Sequence, residues 1–216
     1  LSDQYLGPRK ATINEPDLAE IEIIDRMIPD GEQLKSYKRY QITESGISPI
    51  AIPGMENGAY VAEGIEHDEI SAPAYTPQIH SEMTRKRFEK LETLTSSEYI
   101  DEFVRRHGHE YPEIGIIGWG SSEGVIREAV SKAEIKGYKV AALHPKLLNP
   151  LPVKHIMEFI KPLKRIIVPE ANYTGQFAAL LRDKCGIKPI QLNKDVGLPF
   201  MPSEILEKIE EVGETL

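Results

Sequence analysis

Cysteine is almost absent from this chain of 216 residues, in which Cys185 is the only example. A single thiol excludes an internal disulfide, a thiolate-ligated iron–sulfur cluster and a multi-cysteine zinc site within the chain. Cys185 follows the apolar Leu180 and Leu181 late in a predicted helix, a setting typical of a small buried residue. Any redox cluster that the function requires must therefore belong to another subunit.

Long apolar runs and an excess of positive charge are also missing. No uncharged apolar stretch approaches the roughly 18 to 20 residues of a membrane-spanning helix, and no basic-then-apolar signal segment opens the chain. Asp and Glu number 34 against 26 Lys and Arg, so the formal net charge is -8, a poor electrostatic match for nucleic acid. The composition predicts a folded cytoplasmic protein that binds neither membrane nor nucleic acid.

The familiar spacings of metal and nucleophile sites are lacking as well. The six histidines, at positions 67, 80, 107, 109, 144 and 155, form no metal-ligand spacing with a carboxylate, and no Gly-x-Ser-x-Gly elbow is present. A self-contained nucleophilic hydrolase is therefore disfavoured. The sequence predicts no metal site and no catalytic residue within this chain alone.

What is present is a regular alternation of strand and helix patterns in the second half. Residues 1–76 are rich in Pro and Gly with little periodicity, and an amphipathic helical pattern covers 77 to about 106, with a break near Ser97 and a solvated basic face at 85–87. Strands are predicted near 114–117, 139–143, 165–168 and 189–192, and helices near 125–136, 153–160, 175–184 and 203–212. This order predicts a doubly wound α/β domain with a mainly parallel sheet, preceded by an irregular segment and a connecting helix.

A glycine-rich loop follows the first predicted strand of this domain. Gly118, Gly120 and Ser121 precede a helix, where free N–H groups could hold an anion. A dinucleotide site also needs an acidic residue at the end of the next strand, and His144 leads into Pro145 there instead. A plain strand-to-helix turn or a partner-contact loop is therefore the favoured interpretation.

A second loop, at 170–176, lies at the same carboxyl edge of the predicted sheet, where such folds place their sites. Glu170, Asn172 and Gln176 make this segment an interface or ligand loop in one interpretation. In the other, Asn172 or Thr174 caps the following helix while Glu170 pairs with a nearby lysine. The sequence leaves both interpretations open.

The N-terminal segment places Arg39 on a loop stiffened by Pro and Gly, with Thr43 and Ser48 close by in the sequence. Arginine presents a bidentate fork to a carboxylate, and a hydroxyl adds a directed donor. The three residue types permit a carboxylate receptor but do not require one, since most such arginines are surface charges.

Several motifs stand in a characteristic order along the chain. They are LSDQYLG at 1–7, RYQITESGISP at 39–49, IPG at 52–54, GIEHDE at 64–69, GWGS at 118–121, LNPLP at 148–152, EANYTGQ at 170–176 and GLPF at 197–200. This order closely resembles the alpha subunit of 2-oxoacid:ferredoxin oxidoreductases, especially the 2-oxoglutarate type. The resemblance covers nearly the whole chain.

The resemblance implies an activity and a division of labour. Such enzymes oxidatively decarboxylate a 2-oxoacid on thiamine diphosphate, transfer the acyl group to coenzyme A and pass electrons through an iron–sulfur cluster to ferredoxin. A beta subunit is expected to hold the thiamine diphosphate, magnesium and cluster, with no cofactor on this chain alone. We expect 1–76 to end a pyrimidine-side thiamine-binding domain, 77–107 to connect, and 108–216 to form a transketolase C-terminal-like domain.

The family's thiamine-contacting motif, of the Tyr-Pro-Ile-Thr-Pro type, is not found in this sequence. Because the chain also begins with Leu1 rather than Met, we expect it to be a piece of a longer subunit, inactive alone.

The resemblance also assigns roles to the N-terminal loop. Arg39 is expected to neutralise the 2-oxoacid carboxylate until carbon dioxide leaves, while Ser48 or Thr43 fixes its orientation. The family often has Arg after the Ser-Pro pair, and Ile50 stands there in this chain, which leaves the choice of 2-oxoacid open. The alternative is a non-catalytic oligomerisation or docking module whose Arg39 forms an interface ion pair. A free-standing nucleotide-binding protein that uses 118–124 is a more distant alternative.

Overall fold

The computed structural model describes Gly7, Lys10, 12–21 and 25–216 of the chain, with only the backbone of Glu98. The first six residues of the motif at 1–7 lie outside the described residues. The described chain divides into two compact units, one of them Thr12–Ser97 and the other built from Glu98–Leu216.

The N-terminal unit consists largely of loops and contains two helices. Helix α1 spans Gly31–Leu34, and helix α2 spans Pro77–Ser96. The hydroxyl of Thr76 accepts a hydrogen bond from Ile79 N, and Pro77 occupies the first turn of α2, where its missing N–H leaves no bond unmade. The irregular segment followed by a connecting helix is therefore as the sequence predicts.

The C-terminal unit is built on a five-stranded sheet in the order β1-β3-β2-β4-β5. Strand β1 pairs antiparallel with β3, and all the other neighbours are parallel. The strands are β1 (Val104–Gly108), β2 (Ile114–Ile117), β3 (Val140–Pro145), β4 (Arg165–Glu170) and β5 (Ile190–Asn193).

Helices cover both faces of this sheet. They are α3 (Glu123–Ile135), α4 (Val153–Ile160), α5 (Gln176–Cys185) and α6 (Pro202–Gly213). Ile116 and Ala142 belong to one buried cluster with residues of α3 and α6, while Ile117 and Ala141 belong to another with residues of α4 and α5. Because both faces are buried, the inner strands read as continuous apolar runs. The predicted doubly wound α/β fold with a mainly parallel sheet is confirmed.

The segment after α2 differs from its predicted helical pattern. Helix α2 ends at Ser96, Glu98–Phe103 forms a 3₁₀ helix, and Val104–Gly108 is strand β1. The predicted break near Ser97 is present, and the hydroxyl of Ser97 donates to the carbonyl of Leu94 at 2.8 Å and closes α2. Strand β1 lies at an edge of the sheet, where charged side chains are common, so its residues VRRHG lack the apolar pattern of an inner strand.

Within the described ranges, no helix combines the length and the apolar character that crossing a bilayer requires.

Candidate functional site

Arg39 lies half-buried in the N-terminal unit, between two aromatic rings. Its guanidinium carbon is 5.0 Å from the ring centre of Tyr40 and 5.5 Å from that of Tyr60. Such cation–π contacts position a positive charge without a counter-ion. Within the described part of the chain, Arg39 has no carboxylate partner. Its N–H donors therefore remain suited to an external anion.

The two predicted hydroxyl donors lie on the same loop as Arg39, residues 39–49, which is the Arg39 loop. Both hydroxyls form hydrogen bonds within this loop. Thr43 Oγ1 donates to the carbonyl of Ile47 at 2.9 Å, and Ser48 Oγ donates to the carbonyl of Gln41 at 2.7 Å. Each hydroxyl has one proton, and these bonds use both. In this conformation the hydroxyls close the loop on itself, and Arg39 is the donor of the three that is suited to a carboxylate.

Glu69 anchors this loop from outside it. Its carboxylate accepts from Ile42 N at 2.9 Å and from Lys38 Nζ at 2.8 Å, and its carbonyl accepts from Tyr40 N at 2.9 Å. Burial opposes ionisation of Glu69, but the bonds from Lys38 and Ile42 N outweigh burial and lower its pKa. The motifs at 39–49 and 64–69 thus meet in space, and their joint presence was the only sign of this contact in the sequence.

Two other residues of the 64–69 motif, Glu66 and His67, contact helix α2 and the ring of Tyr40 respectively. Glu66 accepts from Arg87 Nη2 and pairs with His80 Nδ1, each at 2.6 Å. These partners, Arg87 first, lower the pKa of Glu66 to about 2. The buried ring of His67 lies 4.0 Å from that of Tyr40, centre to centre. One short motif therefore links the Arg39 loop to α2.

The predicted solvated basic face at 85–87 is only partly correct. Arg85 is exposed and Arg87 binds Glu66, but Lys86 is only 6% exposed. Its ammonium donates to the carbonyl of Gly46 at 2.9 Å. The prediction is wrong for Lys86 because α2 turns this position toward the Arg39 loop rather than toward water.

A cavity of about 440 Å³ is formed by the stretch that follows this loop. Tyr60 lines this cavity, and its ring also forms the cation–π contact with the guanidinium of Arg39. The other lining residues are uncharged: Ala51, Ile52, Pro53, Gly54, Met55, Gly58, Ala59 and Ala62. A small organic acid fits within such a volume.

Glu170 lies at the end of β4 in the C-terminal unit and caps helix α5. It is 2% exposed, and its carboxylate accepts from Phe177 N at 2.7 Å, Ala178 N at 2.8 Å and Asn172 Nδ2 at 2.8 Å. Pairing of Glu170 with a lysine is therefore wrong, because the N–H groups that open α5 take the carboxylate instead. Asn172 Oδ1 accepts from Gly175 N at 2.7 Å and Gln176 N at 3.3 Å, so Asn172 also caps α5.

The loop after β2 is a tight turn into α3. Gly118 N donates to the carbonyl of Leu143, and Gly120 has a φ of +59°. A Cβ on Gly118 would lie 2.8 Å from His144 Nε2 and 2.9 Å from Ser122 Oγ. Close packing therefore explains the first glycine, and backbone conformation explains the second. Ser121 lies within this turn and is exposed.

His144 is a buried imidazole that sequence reasoning did not single out. It is 3% exposed, and neither ring nitrogen has a hydrogen-bond partner among the described residues. His107 lies beside it with ring centres 5.7 Å apart, and Arg105 forms an ion pair with Glu123 nearby at 3.2 Å. Burial lowers the pKa of His144 to about 4 and also lowers that of His107.

We expect the free energy of unfolding to fall as pH falls from about 6.5 toward 4. The unfolded chain protonates His144 near pH 6.5 while the folded chain does not, so acid favours unfolding. The loss from this residue should be about 2 kcal/mol at pH 5. Urea unfolding of wild type and His144→Leu between pH 7.5 and 5 measures it. An equal acid loss in both proteins would contradict this role for His144.

Cys185 is the single cysteine of the chain and a poor candidate for a metal ligand. Cys185 is half-buried, and burial raises the pKa of its thiol, which disfavours the thiolate that binds metal. Across the residues that the structure describes, no three His, Cys, Asp or Glu side chains are placed to hold a metal ion.

Several known proteins similar to this chain are 2-oxoacid:ferredoxin oxidoreductase alpha subunits. A family model described as "Pyruvate:ferredoxin oxidoreductase core domain II" matches residues 112–189. The 2-oxoacid:ferredoxin oxidoreductase subunit alpha of Saccharolobus solfataricus is 33% identical over 81% of this chain and 28% of that protein. Subunit alpha of the 2-oxoacid:ferredoxin oxidoreductase 2 of Aeropyrum pernix is 28% identical over 100% of this chain and 34% of that protein.

A solved structure is similar to nearly the whole chain. The 2-oxoglutarate:ferredoxin oxidoreductase from Magnetococcus marinus, with 2-oxoglutarate, coenzyme A and succinyl-CoA bound, matches with a TM-score of 0.83 and 41% identity. The match covers 92% of this chain and 34% of that one. This chain thus spans about a third of the length of these three relatives. Together the fold and these similarities show that the chain is homologous to part of the alpha subunits of 2-oxoacid:ferredoxin oxidoreductases.

Proposed function

We propose that this chain is part of the alpha subunit of a 2-oxoacid:ferredoxin oxidoreductase and that Arg39 binds the carboxylate of the 2-oxoacid. The observation that carries the proposal is the setting of Arg39, whose charge lies on Tyr40 and Tyr60 without a carboxylate partner in the described chain. A held cation without a counter-ion is suited to an incoming anion. The cavity that shares Tyr60 offers space for a small uncharged part of the substrate.

The complete enzyme is proposed to couple oxidative decarboxylation of a 2-oxoacid to the reduction of ferredoxin. A 2-oxoacid, coenzyme A and two oxidised ferredoxins give acyl-CoA, carbon dioxide, a proton and two reduced ferredoxins. Thiamine diphosphate supplies the electron sink when it is bound, and it is expected on the beta subunit with magnesium and the iron–sulfur cluster. This chain's own part is to bind and orient the carboxylate.

Arg39 is proposed to act on substrate binding rather than on the chemical step. The carboxylate carries its full negative charge in the bound substrate and loses it as neutral carbon dioxide forms. The interaction with Arg39 is therefore strongest before bond cleavage, so it lowers KM and does not by itself raise kcat.

The proposal includes the partners and the location of the enzyme. A beta subunit and ferredoxin are expected as partners, and coenzyme A as the acyl acceptor, because the relatives are named alpha subunits of ferredoxin oxidoreductases. A cytoplasmic location belongs to the same proposal, since ferredoxin and coenzyme A are intracellular reactants. We propose 2-oxoglutarate as the first substrate to test, because the Magnetococcus marinus structure contains it.

A second candidate function is a docking module that contributes no substrate contact. Its support is a set of exposed apolar side chains in the N-terminal unit, which is typical of a protein interface. They include Ile52, Val61, Ile65, Ile70 and Tyr75. In this alternative, Arg39 pairs with an acidic residue of the partner.

Reconstitution tests the two candidates. The whole alpha subunit, with and without this segment, is co-expressed with a beta subunit, and coenzyme-A-dependent reduction of ferredoxin or a viologen is measured with 2-oxoglutarate and pyruvate. Turnover that requires the segment supports the proposal, and the two rates rank the substrates. A complex with its cofactors loaded that turns over equally well without the segment would contradict it.

A further inference from the structure

Lys86 is a buried cation whose neighbours in the described chain include no paired anion. Its ammonium makes one hydrogen bond, to the carbonyl of Gly46 at 2.9 Å, and forms no ion pair within the described residues. Burying a charge in this way is costly, and a residue such as methionine would pack there at less cost. Stability alone therefore does not explain a lysine at this position.

The hydrogen bond of Lys86 forms at the place where the Arg39 loop touches helix α2. Gly46 has a φ of +70°, and a Cβ there would lie 2.8 Å from Lys86 O and 2.9 Å from Lys90 N. The loop backbone therefore lies directly on the helix. Thr93 Oγ1 donates to the carbonyl of Ser45 at 2.9 Å. Two consecutive loop carbonyls are thus held by side chains of α2, so the helix sets the position of the loop.

The charge of Arg39 also affects the pKa of Lys86. Burial lowers the pKa of Lys86, and the like charges of Lys90, Arg39 and Arg87 lower it further, while Glu69 opposes them. In a poorly hydrated setting, charges interact more strongly than in water. A carboxylate bound at Arg39 would relieve this repulsion, so substrate and the Lys86 ammonium should stabilise each other.

We propose that Lys86 is a positioning residue for the 2-oxoacid, which holds the Gly46 carbonyl on helix α2 and adds a buried positive charge to the site of Arg39. The inference rests on the proposed function. It extends that function from the residue that touches the carboxylate to one that acts through the loop and through charge.

The test uses the complete enzyme with three variants of this chain. In Lys86→Met, KM for the 2-oxoacid should rise about tenfold, while kcat and the KM for coenzyme A change less than about threefold. Lys90→Met is the matched control, because it removes an exposed charge one turn along α2. Its effect on KM should stay below about threefold, since exposed charges are screened by solvent and salt.

The pH profile separates positioning by charge from a purely structural role. In the wild type, kcat/KM should fall in alkaline solution as Lys86 loses its proton, at a pH below that of an ordinary lysine. Lys86→Arg keeps the charge at all accessible pH values, so this fall should disappear while KM stays low. If Lys86→Met fails to assemble, the profile of Lys86→Arg decides.

Each outcome has a distinct meaning. An active Lys86→Met complex with unchanged KM and an unchanged alkaline fall overturns the role of Lys86 and leaves the proposed function standing. An alkaline fall that persists in Lys86→Arg also overturns it. A complex with loaded cofactors that turns over no 2-oxoacid overturns the proposed function, and this inference with it.

Discussion

Replacing Arg39 with Ala should raise the KM for the 2-oxoacid about hundredfold in the assembled enzyme, because a shielded charge-assisted contact contributes about 2 to 3 kcal/mol. The value of kcat should change less than about tenfold in either direction, since the carboxylate loses its charge during the reaction and the contact mainly stabilises the bound substrate. Steady-state kinetics with varied 2-oxoacid and saturating coenzyme A measure both constants. The smaller side chain also leaves Tyr40 and Tyr60 without their cation–π partner.

Two control variants separate the effect of Arg39 itself from that of losing any arginine or only the bidentate fork. Arg85→Ala removes an exposed arginine of α2, and KM should stay within about twofold of the wild type. Arg39→Lys keeps the charge without the bidentate fork and should raise KM about tenfold. An Arg39→Ala complex with unchanged KM would rule out the carboxylate role. Loss of assembly on a sizing column, with normal kinetics in the residual complex, would favour the docking module.

Replacing Glu170 with Ala should lower the free energy of unfolding of the chain by about 3 kcal/mol. The change removes the acceptor of Phe177 N, Ala178 N and Asn172 Nδ2 and leaves these donors unpaired at a buried helix start. A loss of this size in a chain of this length lowers the Tm by roughly 6 to 12 °C. Thermal and urea unfolding followed by circular dichroism measure it.

Glu158→Ala is the matched control for Glu170, because Glu158 is an exposed glutamate of helix α4. Its effect should stay within about 0.5 kcal/mol. Glu170→Gln should fall between the two, because its amide keeps one acceptor oxygen for the helix. Equal stability of Glu170→Ala and wild type would mean that the carboxylate does not cap α5, and that the ligand interpretation of the 170–176 loop should be tested instead.

The sheet and its covering helices could be predicted from the sequence. Inner parallel strands such as Ile114–Ile117 are buried on both faces and therefore appear as short apolar runs. Gly137 and Gly186 follow two of the helices and adopt positive φ, the conformation typical of a glycine at a helix end. Local pattern and tertiary structure agree in these elements, so their predicted and observed bounds differ by only a few residues.

Strand β1 could not be predicted in this way. Val104–Gly108 carries two arginines and a histidine and, among the strands that the structure describes, pairs only with β3 at an edge of the sheet. The conformation of β1 depends on its pairing with β3, and the sequence of β1 shows no apolar alternation that would predict a strand.

The candidate site was predictable in its residue types but not in its contacts. Arg39 could be singled out from chemistry and family resemblance, whereas the roles of Glu69 and Lys86 depend on contacts 27 and 40 residues distant in sequence. Residue type makes Glu170 a candidate ligand residue, whereas in the structure two backbone N–H groups of α5 and the amide of Asn172 donate to its carboxylate. A periodic pattern reports burial, but it does not report which distant backbone atom a polar side chain will meet.

The most direct test of the central claim is a structure of the assembled enzyme with its 2-oxoacid bound before decarboxylation. We predict a carboxylate oxygen of the substrate within hydrogen-bonding distance, about 2.7 to 3.2 Å, of an Arg39 nitrogen. A substrate carboxylate bound entirely by residues outside this chain, with Arg39 engaged by a partner's acidic side chain, would contradict the claim.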